Sequence, residues 1–443
     1  MNQLYNRTQQ EPIDVTAGFL QATLGVQGVA SIVSPLWDGP QIQTFKADLA
    51  VGVRPEKIER LDGALAVAAG VSTCRVSRGR GFLLIEIPKP PEERKALRAK
   101  RLLRFRSDNP WRVPLGVSTV GEVVWLDLSD ERTCHAVLGG TTGSGKTNLL
   151  HWALFRLLAQ TPPRQLGLLL MDPKGYELQP FAQARHLIHP PEYRSDEILK
   201  VLLWIEETMA QRSREHVTQP RILLVIDEVR ELVEREGRVE RILASIAQIG
   251  RGLGIHLLVT TQQPGAKALG DALPNFPVRL LGRVASATLS YGAAGRARSQ
   301  ANMLLGRGDF LLLTQDYELR FQAPLMDAGL LETLPTTDEV SRLDLPESLD
   351  LKALTTAKQR GGHNRKPLDL AEVRRLVVEE RRTAAQLSHE LSIYYERAQR
   401  LVEMTRAIAL GADAAQISYQ FDVPRTRAER LVEELRGDGY EDQ

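Results

Sequence analysis

Apolar runs of strand length alternate with longer helical patterns between about Trp111 and Asp327, near the middle of the 443-residue chain. The strand-like runs are HAVLGG, GLLLMD, ILLVID, IHLLVTT and VRLLGRV. This alternation is typical of a doubly wound α/β domain, in which helices cover both faces of a largely parallel sheet. We therefore predict an α/β domain over residues 111–330.

The flanking segments have different patterns. Residues 1–110 combine a mixed helical stretch from Asp14 to about Val33 with two strand-like runs and a helix opened by Pro55, which predicts a small α+β domain. Its end, PPEERKALRAKRLLRFRSD, has the clustered cations of a solvated connecting helix. Residues 331–367 are predicted to be a linker, and residues 368–443 a helical domain.

Composition limits the class of protein. With 43% hydrophobic and 25% charged residues the chain is an ordinary soluble globular protein. The 57 basic residues nearly balance the 55 acidic ones, so any site for a polyanion must be a local patch. The two cysteines have no metal-binding spacing. No apolar stretch approaches the roughly 20 residues of a membrane helix, so we expect no membrane segment and a cytoplasmic location.

The segment GTTGSGKT matches the phosphate-binding pattern GxxxxGK[ST], with an apolar strand before it and a helical pattern after it. That context argues against a glycine-rich turn with an incidental lysine. Lys146 is expected to meet the β- and γ-phosphates of ATP, and Thr147 to ligate Mg²⁺. The residues predicted to hold the nucleotide are Gly140, Thr141, Thr142, Gly143, Ser144, Gly145, Lys146 and Thr147.

Two apolar strands end in an aspartate that could hold the metal, Asp172 and Asp227. Hydrolysis also needs a group that orients or deprotonates water. Glu228 follows Asp227 directly, whereas Asp172 is followed by Pro-Lys, so we assign metal binding to Asp227 and the catalytic base to Glu228. Gln262 ends the next strand, where it could sense the γ-phosphate or be an ordinary loop residue.

Six segments, taken in order, resemble the motor domain of the FtsK/SpoIIIE family of DNA translocases: GGTTGSGKT, LLLMDPKGYEL, LLVIDEVREL, GRGLGIHLLVTTQQP, LPNFPVRL and LLGRGDFLL. Upstream, the stretch from GPQIQTFKADLAVGV to GFLLIEIPKP is similar to the small domain that precedes this motor. The resemblance implies a RecA-like P-loop sheet in which the Gln262 strand lies between the P-loop strand and the Asp227 strand. It places the Asp172 strand at the margin.

The resemblance also implies a hexameric ring around double-stranded DNA, with ATP bound between neighbouring subunits. In such a ring a cation from the next subunit stabilises charge during phosphoryl transfer. Arg279 matches the family position for this arginine finger, and Arg251 is the second choice. The alternative for both is a structural or surface arginine.

The C-terminal region is similar to the family's DNA-reading winged-helix domain, without a visible wing. A recognition helix there would present Ser392, Tyr394, Tyr395, Arg397, Gln399 and Arg400 to the major groove. A second helix-turn-helix unit would open with Arg425, Thr426 and Arg427. Residues 365–443 carry 13 basic and 15 acidic residues, so a helical bundle for protein contacts is the alternative.

The function predicted from the residues and the resemblance is an ATP-hydrolysing, ring-forming motor that moves double-stranded DNA with ATP and Mg²⁺. The expected absence of membrane segments favours work for a plasmid, phage or other mobile element, in transfer, partition or replication. A relaxase, recombinase or replication protein would be the partner. The alternative is a DNA-binding coupling or recruitment ATPase that assembles a nucleoprotein complex without processive translocation.

Overall fold

The computed structural model describes residues 10–79, 81–296, 299–345, 370–380, 382, 395–421 and 425–436. The chain divides into two units, Met1–Leu345 and Pro346–Gln443. Neither unit contains, in its described part, a helix long and apolar enough to span a membrane.

The first unit begins with a four-stranded antiparallel sheet, in the order β1-β2-β4-β3, covered by helices. Leu20 and Leu24 pack with Phe45 and Ile85 to form its core. The elements are α1 Gln10–Val26, β1 Ser31–Asp38, β2 Ile42–Leu49, α2 Pro55–Glu59, α3 Asp62–Ala68, β3 Arg75–Arg78 and β4 Leu83–Pro88.

Two details of this part differ from the sequence prediction. Residues 31–33 belong to a strand and not to the first helix, because α1 ends at Val26. The connecting segment is not an α-helix but forms two 3₁₀ turns, Pro91–Glu93 and Ala99–Arg101. It is held in an extended course because the N–H of Ala99 bonds to the Leu325 carbonyl, at 3.0 Å.

The remainder of the first unit is built on a nine-stranded sheet, in the order β6-β5-β13-β12-β11-β7-β10-β9-β8. Its strands are β5 Arg112–Ser118, β6 Val123–Asp127, β7 His135–Gly139, β8 Leu166–Met171, β9 Arg221–Ile226, β10 Ile255–Thr261, β11 Val278–Leu281, β12 Asp309–Leu313 and β13 Glu318–Gln322. Its helices are α4 Lys146–Gln160, α5 Ser195–Glu215, α6 Val229–Arg235, α7 Gly237–Ile249, α8 Ala266–Leu269, α9 Ala287–Ala294 and α10 Ala328–Leu331.

The five strands predicted from apolar runs are confirmed as β7 to β11, and they are mutually parallel. The predicted order is confirmed as well, since β10 lies between β7 and β9 while β8 forms the margin. The sheet as a whole is mixed and not largely parallel, because β12 and β13 form a hairpin and β5 and β6 extend the antiparallel half. All five parallel strands therefore end at one edge, where the P-loop begins.

Residues 332–345, which the sequence assigns to a linker, belong to the first unit. Leu334 is buried with the core of the large sheet. The N–H of Leu343 donates to Nδ1 of His189, at 3.1 Å. This stretch is therefore part of the folded first unit.

The described secondary-structure elements of the second unit are all helices. Met404, Ile408, Ile417 and Phe421 form part of its core. Its elements are α11 Leu370–Arg374, which continues as a π-helical turn over Arg375–Glu379, α12 Tyr395–Ala409, α13 Ala414–Phe421 and α14 Arg425–Arg436.

Candidate nucleotide site

The P-loop connects β7 to α4, and Gly143 and Gly145 within it adopt left-handed backbone angles that favour glycine. Gly143 has φ 80° and Gly145 has φ 97°. A Cβ on Gly145 would also lie 2.7 Å from the backbone nitrogen of Gly308. The N–H groups of both glycines make no hydrogen bond to any described part of the chain. Free N–H groups in such a turn, at a helix N-terminus, suit a phosphate group.

Two Leu-Leu-Gly-Arg tetrapeptides hold the P-loop from either side. In the first, residues 280–283, the carbonyl of Arg283 accepts from the N–H of Thr141, at 2.8 Å. In the second, residues 304–307, the N–H of Arg307 donates to the carbonyl of Gly143, at 3.0 Å, and Arg307 itself has the left-handed φ of 51°. The loop is therefore preformed, with the N–H of Thr141 directed toward the first turn and the carbonyl of Gly143 toward the second.

Lys146 projects from the first turn of α4 toward the ends of β10 and β9. Its Nζ lies 3.2 Å from Thr260 Oγ1, 3.8 Å from Asp227 Oδ1 and 3.9 Å from Glu228 Oε2. The sequence predicted Lys146, Asp227 and Glu228 but missed Thr260. Its hydroxyl donates to Asp227 Oδ1, at 2.5 Å, and accepts from the N–H of Glu228, at 3.2 Å. Its place on β10, between the P-loop strand and the Asp227 strand, was the available signal.

The two carboxylates at the end of β9 are held differently. Asp227 is 3% exposed, and burial raises the pKa of its carboxyl, against the lowering effects of Lys146 and Thr260. Glu228 adopts the left-handed conformation, with φ 47°, at the start of α6. Its Oε1 accepts from the N–H of Gln262, at 3.2 Å, whereas its buried Oε2 accepts no hydrogen bond from any described group. One oxygen is thus anchored, and the other keeps its capacity to accept a hydrogen bond.

Asp172 is occupied by its own loop. Its fully buried carboxylate accepts four backbone N–H groups. Oδ1 accepts from Lys174 and Gly175, each at 3.0 Å, and Oδ2 accepts from Glu177 and Leu178, at 2.8 and 3.1 Å. Four donors saturate the lone pairs of a carboxylate. The geometry therefore favours Asp227, and not Asp172, as the metal ligand.

The loop after Asp172 brings a second lysine to the site, which the sequence reading left without a role. Lys174 Nζ lies 3.5 Å from Glu228 Oε2.

Gln262 is exposed directly after β10, and its backbone N–H donates a hydrogen bond to Glu228 Oε1. Thr147 lies next to Lys146 in the first turn of α4. A threonine hydroxyl and a carboxylate are oxygen ligands of the type that Mg²⁺ prefers, so Thr147 and Asp227 fit that ion.

The two predicted finger arginines lie in different surroundings. Arg279 is on β11, where burial lowers the pKa of its guanidinium and Nη1 donates to the carbonyl of Ala293, at 2.9 Å. Arg251 is on the 3₁₀ turn before β10 and pairs with the exposed Glu131, at 3.2 Å. Arg251 is thus the more accessible within one subunit, and the trans role of either stays a prediction.

The predicted DNA-reading residues are only partly described. Ser392 and Tyr394 lie outside the described residues. Four others occupy the first turns of α12, and three open α14. These are Tyr395, Arg397, Gln399 and Arg400, followed by Arg425, Thr426 and Arg427. Arg425 is exposed and pairs with Glu429, at 3.4 Å. Their contact with DNA stays a prediction, as does the winged-helix assignment.

The strand order, the preformed P-loop and the lysine-carboxylate cluster at the strand ends together define a P-loop ATPase. Residues 98–217 match the model of the FtsK/SpoIIIE family, and residues 2–89 match that of the FtsK alpha domain. These two stretches of the chain are thus similar to domains of FtsK/SpoIIIE proteins.

Several DNA translocases are similar to this chain over much of its length. DNA translocase SftA of Bacillus subtilis (strain 168) is 28% identical, over 89% of this chain and 44% of its own length. DNA translocase FtsK of Streptococcus pneumoniae (strain ATCC BAA-255 / R6) is 26% identical, over 87% and 54%. DNA translocase FtsK of Chlamydia trachomatis serovar D is 27% identical, over 69% and 42%. The chain thus spans about half the length of these relatives.

Two solved structures are similar to part of this chain. The monomeric pCW3 conjugation coupling protein TcpA with ATPγS is 22% identical, with a TM-score of 0.47 over 71% of this chain and 96% of that one. EssC (ATPases 2 and 3) of Geobacillus thermodenitrificans is 17% identical, with a TM-score of 0.49 over 61% and 57%.

Proposed function

We propose that this protein hydrolyses ATP at the P-loop and uses the hydrolysis to move double-stranded DNA. The observation that carries the ATPase part is the convergence of Lys146, Asp227 and Glu228 around the Thr260 hydroxyl at one sheet edge. In the proposed reaction Lys146 binds the β- and γ-phosphates, and the P-loop N–H groups orient the polyphosphate. Thr147 and Asp227 would hold Mg²⁺, which would neutralise the charge that develops on the phosphate oxygens.

Glu228 is the proposed base that orients or accepts a proton from the attacking water. Its anchored Oε1 fixes the carboxylate, and Oε2 is the oxygen left to receive the water's hydrogen bond. Gln262 lies directly after the β10 strand end, beside Glu228, and is the proposed γ-phosphate sensor. Because the N–H of Gln262 donates to Glu228 Oε1, a shift of this strand end would move the Glu228 carboxylate.

The DNA-motor part of the proposal is supported by the matches to the FtsK/SpoIIIE and FtsK alpha models and by relatives named as DNA translocases. Six copies around duplex DNA would make sequence-independent phosphate contacts. A trans arginine, Arg279 or Arg251, would complete each site from the neighbouring subunit. The mobile-element setting stays a prediction of the sequence, and the genes beside this one test it: a relaxase, primase or replication initiator would support it.

The decisive experiment combines ATP hydrolysis with displacement of a triplex-forming strand from duplex DNA. We expect duplex DNA to stimulate hydrolysis and ATP to drive displacement by the assembled oligomer. Lys146→Ala should lose nucleotide binding, whereas Glu228→Gln should bind ATP without turnover. DNA-stimulated hydrolysis with no displacement by a confirmed hexamer would contradict translocation and favour the coupling or recruitment alternative.

The C-terminal part of the proposal is sequence-selective DNA binding through α12 and α14. Selection of random duplexes by the full chain should enrich a motif. Replacing Arg397 and Arg400 with Ala should abolish that enrichment while leaving ATP-dependent displacement on non-cognate DNA intact. Absence of an enriched motif, together with unchanged binding by the variant at low salt, would favour a protein-contact bundle.

A further inference from the structure

We propose that Lys174 is a positioning residue for hydrolysis, whose ammonium group holds the free carboxylate oxygen of Glu228 toward the nucleotide site. This inference rests on the ATP hydrolysis proposed above. It gives a role to the conspicuous DPKG turn at the margin of the sheet, which contributes no metal ligand.

The turn is built to deliver this lysine. β8 lies beside β9, so the residues after Asp172 start one strand away from Glu228. The four backbone N–H bonds to Asp172 fold the following chain back over the strand end, and Gly175, with φ 79°, permits the reversal. The N–H of Asp172 is itself tied to the Glu192 carbonyl, at 2.9 Å. Lys174 therefore extends from a fixed base.

The ammonium group of Lys174 faces the one oxygen of Glu228 that lacks a hydrogen bond. Their separation is 3.5 Å, and Lys146 approaches the same oxygen at 3.9 Å. No other cation of the described chain forms an ion pair with Glu228. Burial lowers the pKa of Lys174, but Glu228 and then Asp227 outweigh it and the pKa is raised, as expected of an ammonium group drawn to these carboxylates.

Lys146 and Lys174 interact with different groups once ATP binds. Lys146 is the P-loop lysine, so the phosphates compete for its charge. Lys174 then remains the cation closest to Glu228. A carboxylate that loses this partner is held only through Oε1, so Oε2 can rotate away from the attacking water, whereas the P-loop contacts to the nucleotide are unaffected. Loss of Lys174 should therefore lower turnover without weakening nucleotide binding.

The test compares Lys174→Met and Lys174→Gln with Lys174→Arg in the full chain. The matched control is Lys200→Met, which removes a lysine that is paired with Glu197, at 2.9 Å, on α5. Each variant is assayed for kcat in DNA-stimulated ATP hydrolysis, for Kd of a fluorescent ATP analogue and for thermal unfolding.

We expect the two neutral variants to lose about ten- to a hundredfold in kcat, the effect of a misplaced catalytic group. Their Kd should stay within about twofold of wild type. Lys174→Arg should recover most of kcat, and Lys200→Met should match wild type.

Unchanged kcat in Lys174→Met or Lys174→Gln overturns the inference. So does a failure of Lys174→Arg to recover activity, a parallel loss of affinity, or unfolding of both neutral variants at the assay temperature, which would make the lysine structural. Failure of the proposed function is distinguishable, because the wild-type chain would then show no hydrolysis at all.

Discussion

Replacing Asp172 with Ala separates a structural aspartate from a metal-binding one. The variant loses four hydrogen bonds of 2.8–3.1 Å from backbone N–H groups to a fully buried carboxylate. A bond to a charged acceptor contributes about 1.5 kcal/mol or more when buried, and less where water replaces it. Of the four donors, only Leu178 lies in a fully buried bond. We therefore expect the loop to lose about 4 kcal/mol of local stability.

Hydrogen exchange measures this loss directly. A local destabilisation of about 4 kcal/mol corresponds to roughly thousandfold faster exchange of the amides in the loop after β8. Mg²⁺-dependent binding of a fluorescent ATP analogue should persist in this variant, because Asp227 is intact. Asp227→Ala is the matched control, with the reverse pattern: protected loop amides and lost Mg²⁺ dependence. Normal loop protection in Asp172→Ala, with lost Mg²⁺ dependence, would refute the assignment.

Three further perturbations test other parts of the first unit. Burial lowers the pKa of His135 to about 3 and that of His256 to about 4, so both side chains are neutral in the folded protein at pH 5 to 7. The free energy of unfolding is therefore full above pH 6.5, and it falls by about 4 kcal/mol at pH 5 because both histidines take up a proton on unfolding. Urea unfolding at pH 5 and pH 7 measures this difference. An equal midpoint at both values would contradict it. Glu86 is fully buried between Arg75 and Arg320, so Glu86→Gln should lower the free energy of unfolding by about 3 kcal/mol in the same assay. A loss near zero would show that the two arginines find other partners. Arg279→Ala should lower DNA-stimulated hydrolysis about a hundredfold or more; mixing it with Lys146→Ala subunits should restore activity if the arginine acts in trans, and no restoration would contradict that role.

The parts of the fold that sequence predicts well are those whose signal is local. The five apolar runs are buried on both faces, so they appear as continuous hydrophobic segments, and each is a parallel strand. β3 has only four residues, and β1 contains Pro35 and a register shift before Trp37. Such strands lack the clean alternation that a pattern search needs. They form because the neighbouring strands pair with them.

The parts of the site that sequence missed depend on contacts between strands. Thr260 looks like any strand-end threonine until β10 is known to lie between β7 and β9, where its hydroxyl meets Lys146, Asp227 and the N–H of Glu228. Lys174 acquires its partner only because β8 is the next strand beyond β9. The motif residues could be found from spacing, whereas the residues that orient them could not.

The two strand-end aspartates differ in what the chain does after them. After Asp172, the Pro-Lys-Gly sequence forms a turn, and the N–H groups of the following loop donate four hydrogen bonds to the carboxylate, which leaves it no further lone pair for a metal. Behind Asp227, Glu228 takes a left-handed conformation and the chain leaves at once as α6, so no following N–H returns to the Asp227 carboxylate among the described bonds. Its contacts are Thr260 and Lys146, partners that a metal can share or displace. In this chain the turn after Asp172 therefore makes its carboxylate structural, whereas the helix start after Asp227 leaves that carboxylate open.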